Sequence, residues 1–142
     1  ALFHMFDELN QYQNSDHFFF QKGSNLSELS KDVPDLPGVF YILRLARGRV
    51  DLVYIGKSGL IQQNGEFKGP LLKDHFGKTP EGFYLQKLFE SKIEKEDIDA
   101  LDINWFVSWD DNHADLPTFV EAQLIQDYFD VHGRIPPWNK EY

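Results

Sequence analysis

The chain has 142 residues, 42% hydrophobic and 15% aromatic, which fits one domain with a packed core and excludes a disordered chain. A formal net charge of −9 argues against non-specific nucleic-acid binding over the whole surface, and the absence of cysteine removes disulfides and thiolate zinc sites. No apolar run approaches membrane-spanning length and the amino terminus lacks a signal-peptide pattern, so a cytoplasmic protein with no membrane partner is expected.

Residues 1–37 read as an amino-terminal extension packing on a domain formed by 38–142. Within the extension, Leu2, Phe3, Phe6 and Leu9 have the spacing of a short amphipathic helix. His17 to Gln21 reads as a short strand or a buried aromatic plug, Ser24 to Ser30 as a helical turn, and Pro34 to Pro37 as a rigid approach to the next element. Gly38 to Leu45 and Leu52 to Gly56, rich in β-branched and aromatic residues and joined across Arg47-Gly48-Arg49, predict a β-hairpin. Lys57 to Gly69 contains Asn64-Gly65 and reads as a loop, after which Pro70 is placed to open a helix reaching Phe76.

A second helix is expected from Pro80 to Lys95, with Phe83, Leu85, Leu88, Phe89 and Ile93 as its core residues. Ile103 to Trp109 reads as a third strand, with Trp105 and Trp109 expected in the core, and Asp110 to Asp115 as a turn. A last helix ends near Gly133, and Ile135-Pro136-Pro137-Trp138-Asn139 cannot be helical. This order predicts an α+β fold with a small, mostly antiparallel three-stranded sheet flanked by helices.

Glu121 stands out in the last helix. At about 100° per residue, Gln123, Gln126, Asp127 and Asp130 gather on one side, while Val120, Ala122, Leu124, Ile125, Tyr128 and Phe129 cover the rest. Glu121 projects from the middle of that apolar arc. A charge facing a core costs several kcal/mol unless it is compensated, so a metal cation, an Arg or Lys, or a hydrogen-bond donor is expected against it. A structural ion pair is the plain reading.

The segment from Gly38 to Thr79 holds seven basic residues (Arg44, Arg47, Arg49, Lys57, Lys68, Lys73 and Lys78) against Asp51, Glu66 and Asp74. One basic segment in acidic surroundings would confine phosphate contact to one face, or is an ordinary solvated surface. The five histidines show no zinc spacing, and no Walker loop is present.

Gly38-Val39-Phe40 followed by Tyr54-Ile55-Gly56, with the late-helix Glu121 and the terminal Asn139 after Pro-Pro-Trp, resembles the paired signature of the GIY-YIG nucleases over about residues 37–139. The resemblance implies that Glu121 binds a single divalent metal, Mg²⁺ or Mn²⁺. It implies that Tyr54 orients or deprotonates the attacking water, its phenol being a useful base only where nearby cations lower its pKa. Asn139 would brace the site. Two features depart from the family. Phe40 stands where a tyrosine is usual, and Tyr41 replaces it only if a bulge shifts the register. The helix from Pro70 to Phe76 has no arginine, leaving Lys73, His75 or Lys57 to steady charge on the phosphate. The function this implies is a divalent-metal-dependent endonuclease hydrolysing DNA phosphodiester bonds. The alternative is a catalytically degenerate domain of that fold that binds nucleic acid or a protein partner.

Overall fold

A computed structural model describes residues 5–142. Leu2, Phe3 and His4 lie outside the described residues; of the expected first helix, Phe6 and Leu9 are buried around a short 3-10 helix, Asp7–Gln11.

The main sheet is antiparallel and has four strands where three were expected. β1 (Ser15–Phe20) pairs with β6 (Ala100–Val107), β6 with β2 (Gly38–Ala46), and β2 with β3 (Arg49–Ser58), in the order β1-β6-β2-β3. The extra strand comes from the amino-terminal segment, whose backbone pairs with β6 from Ser15 opposite Phe106 to Phe20 opposite Leu101. It thereby satisfies the N–H and C=O groups of β6 that a three-stranded sheet leaves open. The loop expected between Lys57 and Gly69 instead holds a two-stranded ribbon, β4 (Leu60–Ile61) and β5 (Phe67–Lys68).

The β2–β3 hairpin turns at Arg47 and Gly48, both at positive φ (52° and 72°), the signature of a two-residue turn matched to strand twist. Between the pairs Ile42–Tyr54 and Leu43–Leu52 the register shifts, leaving Val53 as a bulge in β3. Val53 and Tyr54 therefore face the same side of the sheet. Beyond the bulge Tyr54, Gly56 and Ser58 pair with Ile42, Phe40 and Gly38, while Ile55 and Lys57 pair with Tyr41 and Val39 on the other face.

Helices cover both faces. On the Phe40 side lie α1 (Leu26–Leu29), α2 (Leu72–Phe76) and α3 (Pro80–Lys95), with Phe20, Phe40, Phe76, Phe89 and Leu101 forming one core layer. On the other side α4 (Pro117–His132) and the 3-10 helix enclose Val39, Leu52, Ile55, Leu124 and Tyr128. Complete burial of each Phe or Leu in these layers contributes about 1.5–3 kcal/mol. Thr79 caps α3 by accepting from the Gly82 N–H at 3.0 Å, and Pro80 occupies its first turn. At the other end of α4, Gly133 (φ 68°) closes the helix in the left-handed region.

Three side chains depart from expectation. Phe83 is 66% exposed rather than in the core, because it leaves α3 on the side away from Leu85, Phe89 and Ile93. Phe129 is likewise 49% exposed. Trp109 lies beyond the end of β6 and is half-buried, edge-on to Phe67 at 5.1 Å. Glu8 of the 3-10 helix meets Asp127 of α4; burial, the bond to Glu8 and that neighbour's charge raise the Asp127 pKa from 3.8 to about 7. No helix among the described residues is long and apolar enough to cross a membrane.

Candidate functional site

The edge strand β3 gathers the residues singled out by sequence. Lys57 leaves the strand on the α4 side and places Nζ 3.2 Å from Oε1 of Glu121. Glu121 is only 6% exposed. Its pKa is raised, because burial outweighs the opposing charge and hydrogen bond of Lys57 and the contact with the Tyr142 hydroxyl. Lys57 thus supplies a countercharge for Glu121, and burial of the carboxylate does not by itself call for a metal.

Tyr54 projects from the opposite face of β3, half-buried, with its ring 5.8 Å from that of Phe40. Its hydroxyl still senses Glu121. Burial first, then the charges of Glu121 and Tyr84, push the phenol above its ordinary pKa. The expectation that nearby cations lower it is reversed, and Tyr54 is a hydrogen-bond donor at neutral pH.

His75, on α2, flanks the other side of Phe40 at 5.6 Å and places Nδ1 2.8 Å from the Ser58 hydroxyl. Burial lowers its pKa, only partly opposed by the Leu71 carbonyl and the charges of Glu81 and Asp74. It is neutral at pH 7 and cannot serve as the cation that replaces an arginine. Lys73 is on the same short helix but points away: it is exposed, and Nζ approaches the Lys31 carbonyl at 3.4 Å.

Asn139 braces the outer edge of β3. Its carboxamide accepts from the Ile55 N–H and donates to the Ile55 carbonyl, each at 3.0 Å, while the Trp138 N–H bonds the Val53 carbonyl at 2.8 Å. Tyr41 stays on the α4 side, stacked on Phe106 at 5.8 Å, because the bulge lies in β3 rather than in β2. The Phe40 ring is 1% exposed and packs edge-on to Phe76 at 5.0 Å.

Lys57 and Glu121 therefore meet on one side of the edge strand, and Tyr54, Ser58 and His75 on the other, with Gly56 between. A Cβ on Gly56 would fall 2.6 Å from Phe40 Cζ and 2.9 Å from Tyr54 Cε2. Ser58, Tyr84 and Tyr142 are additions to the residues read from sequence. Alternation from Tyr54 through Gly56 marks Ser58; no sequence signal brings Tyr84 or Tyr142 here.

Among the described residues no three His, Cys, Asp or Glu side chains are grouped to hold a metal ion. Lys57 engages Oε1 of Glu121 and the Tyr142 hydroxyl contacts the same carboxylate, so Glu121 offers a cation at most one oxygen. An ion requiring a protein cage does not fit that set; only a hard ion that keeps most of its water shell and is completed by substrate phosphate would need no more from the protein.

No family model, curated protein or solved structure matches the chain.

Proposed function

We propose that this chain is a divalent-metal-dependent endonuclease acting on DNA phosphodiester bonds, built on a GIY-YIG-like plan. The observation that carries the reading is the buried Glu121 carboxylate on α4, held against Lys57 one residue beyond Tyr54-Ile55-Gly56. Lys57 accounts for the burial of the charge, and ion binding is the further use that the neighbouring Tyr54-Ile55-Gly56 motif suggests for it.

In this reading Glu121 holds one Mg²⁺ or Mn²⁺, which when bound polarises the scissile phosphate and its leaving oxygen. Lys57 sits beside the carboxylate, close enough to face an incoming phosphate oxygen as it loosens from Glu121. Tyr54, protonated, donates a hydrogen bond that orients the attacking water or a phosphate oxygen. His75, neutral and bonded to Ser58, fixes that side chain and presents a ring nitrogen rather than a charge. Asn139 holds the backbone of β3 on which these groups stand.

The test is nicking of supercoiled plasmid with Mg²⁺ or Mn²⁺ by the chain and by Glu121→Gln. Metal-dependent nicking that is lost in the variant is the expected result. Equal nicking by both proteins, or by neither, overturns the reading.

The second reading is a domain of the same plan that binds nucleic acid or protein without cutting. Phe40, the missing arginine of α2, the neutral His75 and the outward Lys73 favour it.

A further inference from the structure

At the tip of the β2–β3 hairpin, remote from Lys57 and Glu121, lies a groove of about 640 Å³. Arg44, Arg47, Arg49, Arg134 and His132 line it, and Asp51 is its single carboxylate. In a chain of net charge −9, four guanidinium groups against one acid is a concentrated reversal of sign.

We propose that this groove binds the phosphate backbone of nucleic acid and carries the strand leading to Glu121. The proposal rests on the nucleic-acid reading above and adds the path of the substrate.

The arginines are not equivalent. Arg44 is held from behind by Glu96 at 2.5 Å and by Asp51 at 3.4 Å, and serves as a fixed floor. Arg49 is 76% exposed and touches Asp51 at only 3.4 Å. Arg47 is exposed and donates to the Glu96 carbonyl at 3.2 Å. Arg134 has no salt bridge among the described residues. Several planar donors are therefore free for an anion.

Arg47 also adopts φ 52°, a left-handed conformation that glycine or asparagine takes at less cost. The lining holds four arginines and no lysine. A solvated surface is served by either, whereas bidentate phosphate recognition favours the guanidinium fork. The carbonyl end of α4 draws cations here too, which accounts for Arg134 but not for three arginines on the hairpin.

Continuity with the candidate site selects nucleic acid over an isolated phosphate or an acidic peptide. Arg49 of the groove stands at the start of β3 and Lys57 near its end, so the two basic places share one edge strand. From Arg49 to Lys57 that strand spans about 26 Å at ~3.3 Å per residue, about eight steps of a B-form strand at ~3.4 Å each. Trp138 and Asn139 lie along that edge between them. The stripe of α4 from Glu121 through Leu124 to Tyr128 is buried against the sheet and is not the path.

The experiment is fluorescence anisotropy of the full chain with a labelled 20-base-pair DNA in EDTA over a salt series. It is run on the wild type, Arg49→Ala/Arg134→Ala, Arg49→Lys/Arg134→Lys and Glu121→Gln, with labelled polyglutamate as the second probe and plasmid nicking measured in parallel. Both arginines are exposed, and matching urea midpoints establish that the variants are folded. The expected result is DNA affinity at least tenfold weaker in the alanine variant, partial recovery with lysine, and a log–log salt slope shallower by about 2, roughly 0.9 per lost phosphate contact.

DNA binding unchanged in the folded alanine variant overturns the groove while leaving the nuclease reading to the nicking assay. Weakened DNA binding with no nicking by any protein supports the groove and removes the nuclease. Polyglutamate bound as tightly as DNA assigns the surface to acidic peptides and overturns the proposal, as does the absence of DNA binding by the wild type.

Discussion

The carboxamide of Asn139 bonds both main-chain groups of Ile55, each at 3.0 Å, and so does for one residue of β3 what a neighbouring strand does along its length. Without it, the outer edge of β3 presents the Ile55 N–H and C=O beside the candidate site with no protein partner. Asn139→Ala is expected to cost about 1–2 kcal/mol, two partly buried hydrogen bonds at about 1 kcal/mol or less each. Urea denaturation gives the cost, and faster amide exchange at Ile55 locates it. An Ile55 amide that exchanges at the wild-type rate in the variant rules this role out.

The two partners of the Lys57–Glu121 pair are unequal, with side-chain exposures of 32% and 7%. Removing Lys57 strands a buried carboxylate, whereas removing the carboxylate leaves a lysine that water can reach. Lys57→Met is expected to cost about 2 kcal/mol at pH 8, below the 3–5 kcal/mol typical of fully buried pairs. Glu121→Gln should stay within about 1 kcal/mol of the wild type. The Lys57→Met penalty should shrink towards pH 4, where the carboxyl is protonated. Equal losses for both variants at pH 8 would contradict this asymmetry.

Gly56 is needed for space rather than for an unusual φ. Gly56→Ala drives a methyl group into the rings of Phe40 and Tyr54, with a cost of about 1–3 kcal/mol expected from overpacking. Phe40→Leu in the same chain, by removing the obstructing Cζ, should make the Gly56→Ala step cheaper. A double-mutant cycle in urea measures the coupling, and additivity would show that the rings are not the obstruction.

Asp127 carries a pH dependence with a definite sign. Its folded pKa lies above its ordinary value, so the folded protein binds more protons than the unfolded chain between about pH 4 and pH 7. That contribution is complete at the acid end and is lost as pH rises through about 7. Asp127→Asn keeps a hydrogen-bond donor for Glu8 and removes the charge. It should raise the urea midpoint relative to wild type at pH 8 and show no such gain at pH 4. A constant offset at both pH values would contradict the assignment.

The titrations on the two sides of β3 shape the expected pH profile of nicking. The His75 pKa is lowered from 6.5 and that of Tyr54 raised from 10, so neither changes charge appreciably between about pH 7.5 and 9. The rate should be flat across that interval and fall on the acid side as Glu121 is protonated. Tyr54→Phe should lower the plateau without tilting it. An inflection near pH 8 that disappears in Tyr54→Phe would make that phenol the base and contradict the donor role.

The helices were legible because punctuation and spacing agree. Thr79-Pro80 opens α3, Gly133 closes α4, and the apolar arc of α4 marks Glu121 as buried. The strand β1 was harder to place, because Phe18-Phe19-Phe20 is apolar at every position and hides the alternation that leaves Phe19 47% exposed and Phe20 fully buried. The ribbon β4–β5 is made of two-residue strands, too short for a period to register. At the site, local sequence supplied the side chains but not their company: Lys57 and Glu121 are 64 positions apart, and the direction of Lys73 is decided by the Lys31 carbonyl.

The bulge at Val53 gives β3 one residue of slack. Leu52 faces α4 while Val53 and Tyr54 both face the Phe40 layer, so loss of Val53 restores strict alternation and leaves Tyr54 and Lys57 on the sides they already occupy. What the extra residue adds is its own fully buried side chain and a carbonyl that accepts from the Trp138 N–H at 2.8 Å. Deletion of Val53 should therefore keep the charged pair and the phenol apart and instead release the carboxy-terminal segment that braces the strand's outer edge.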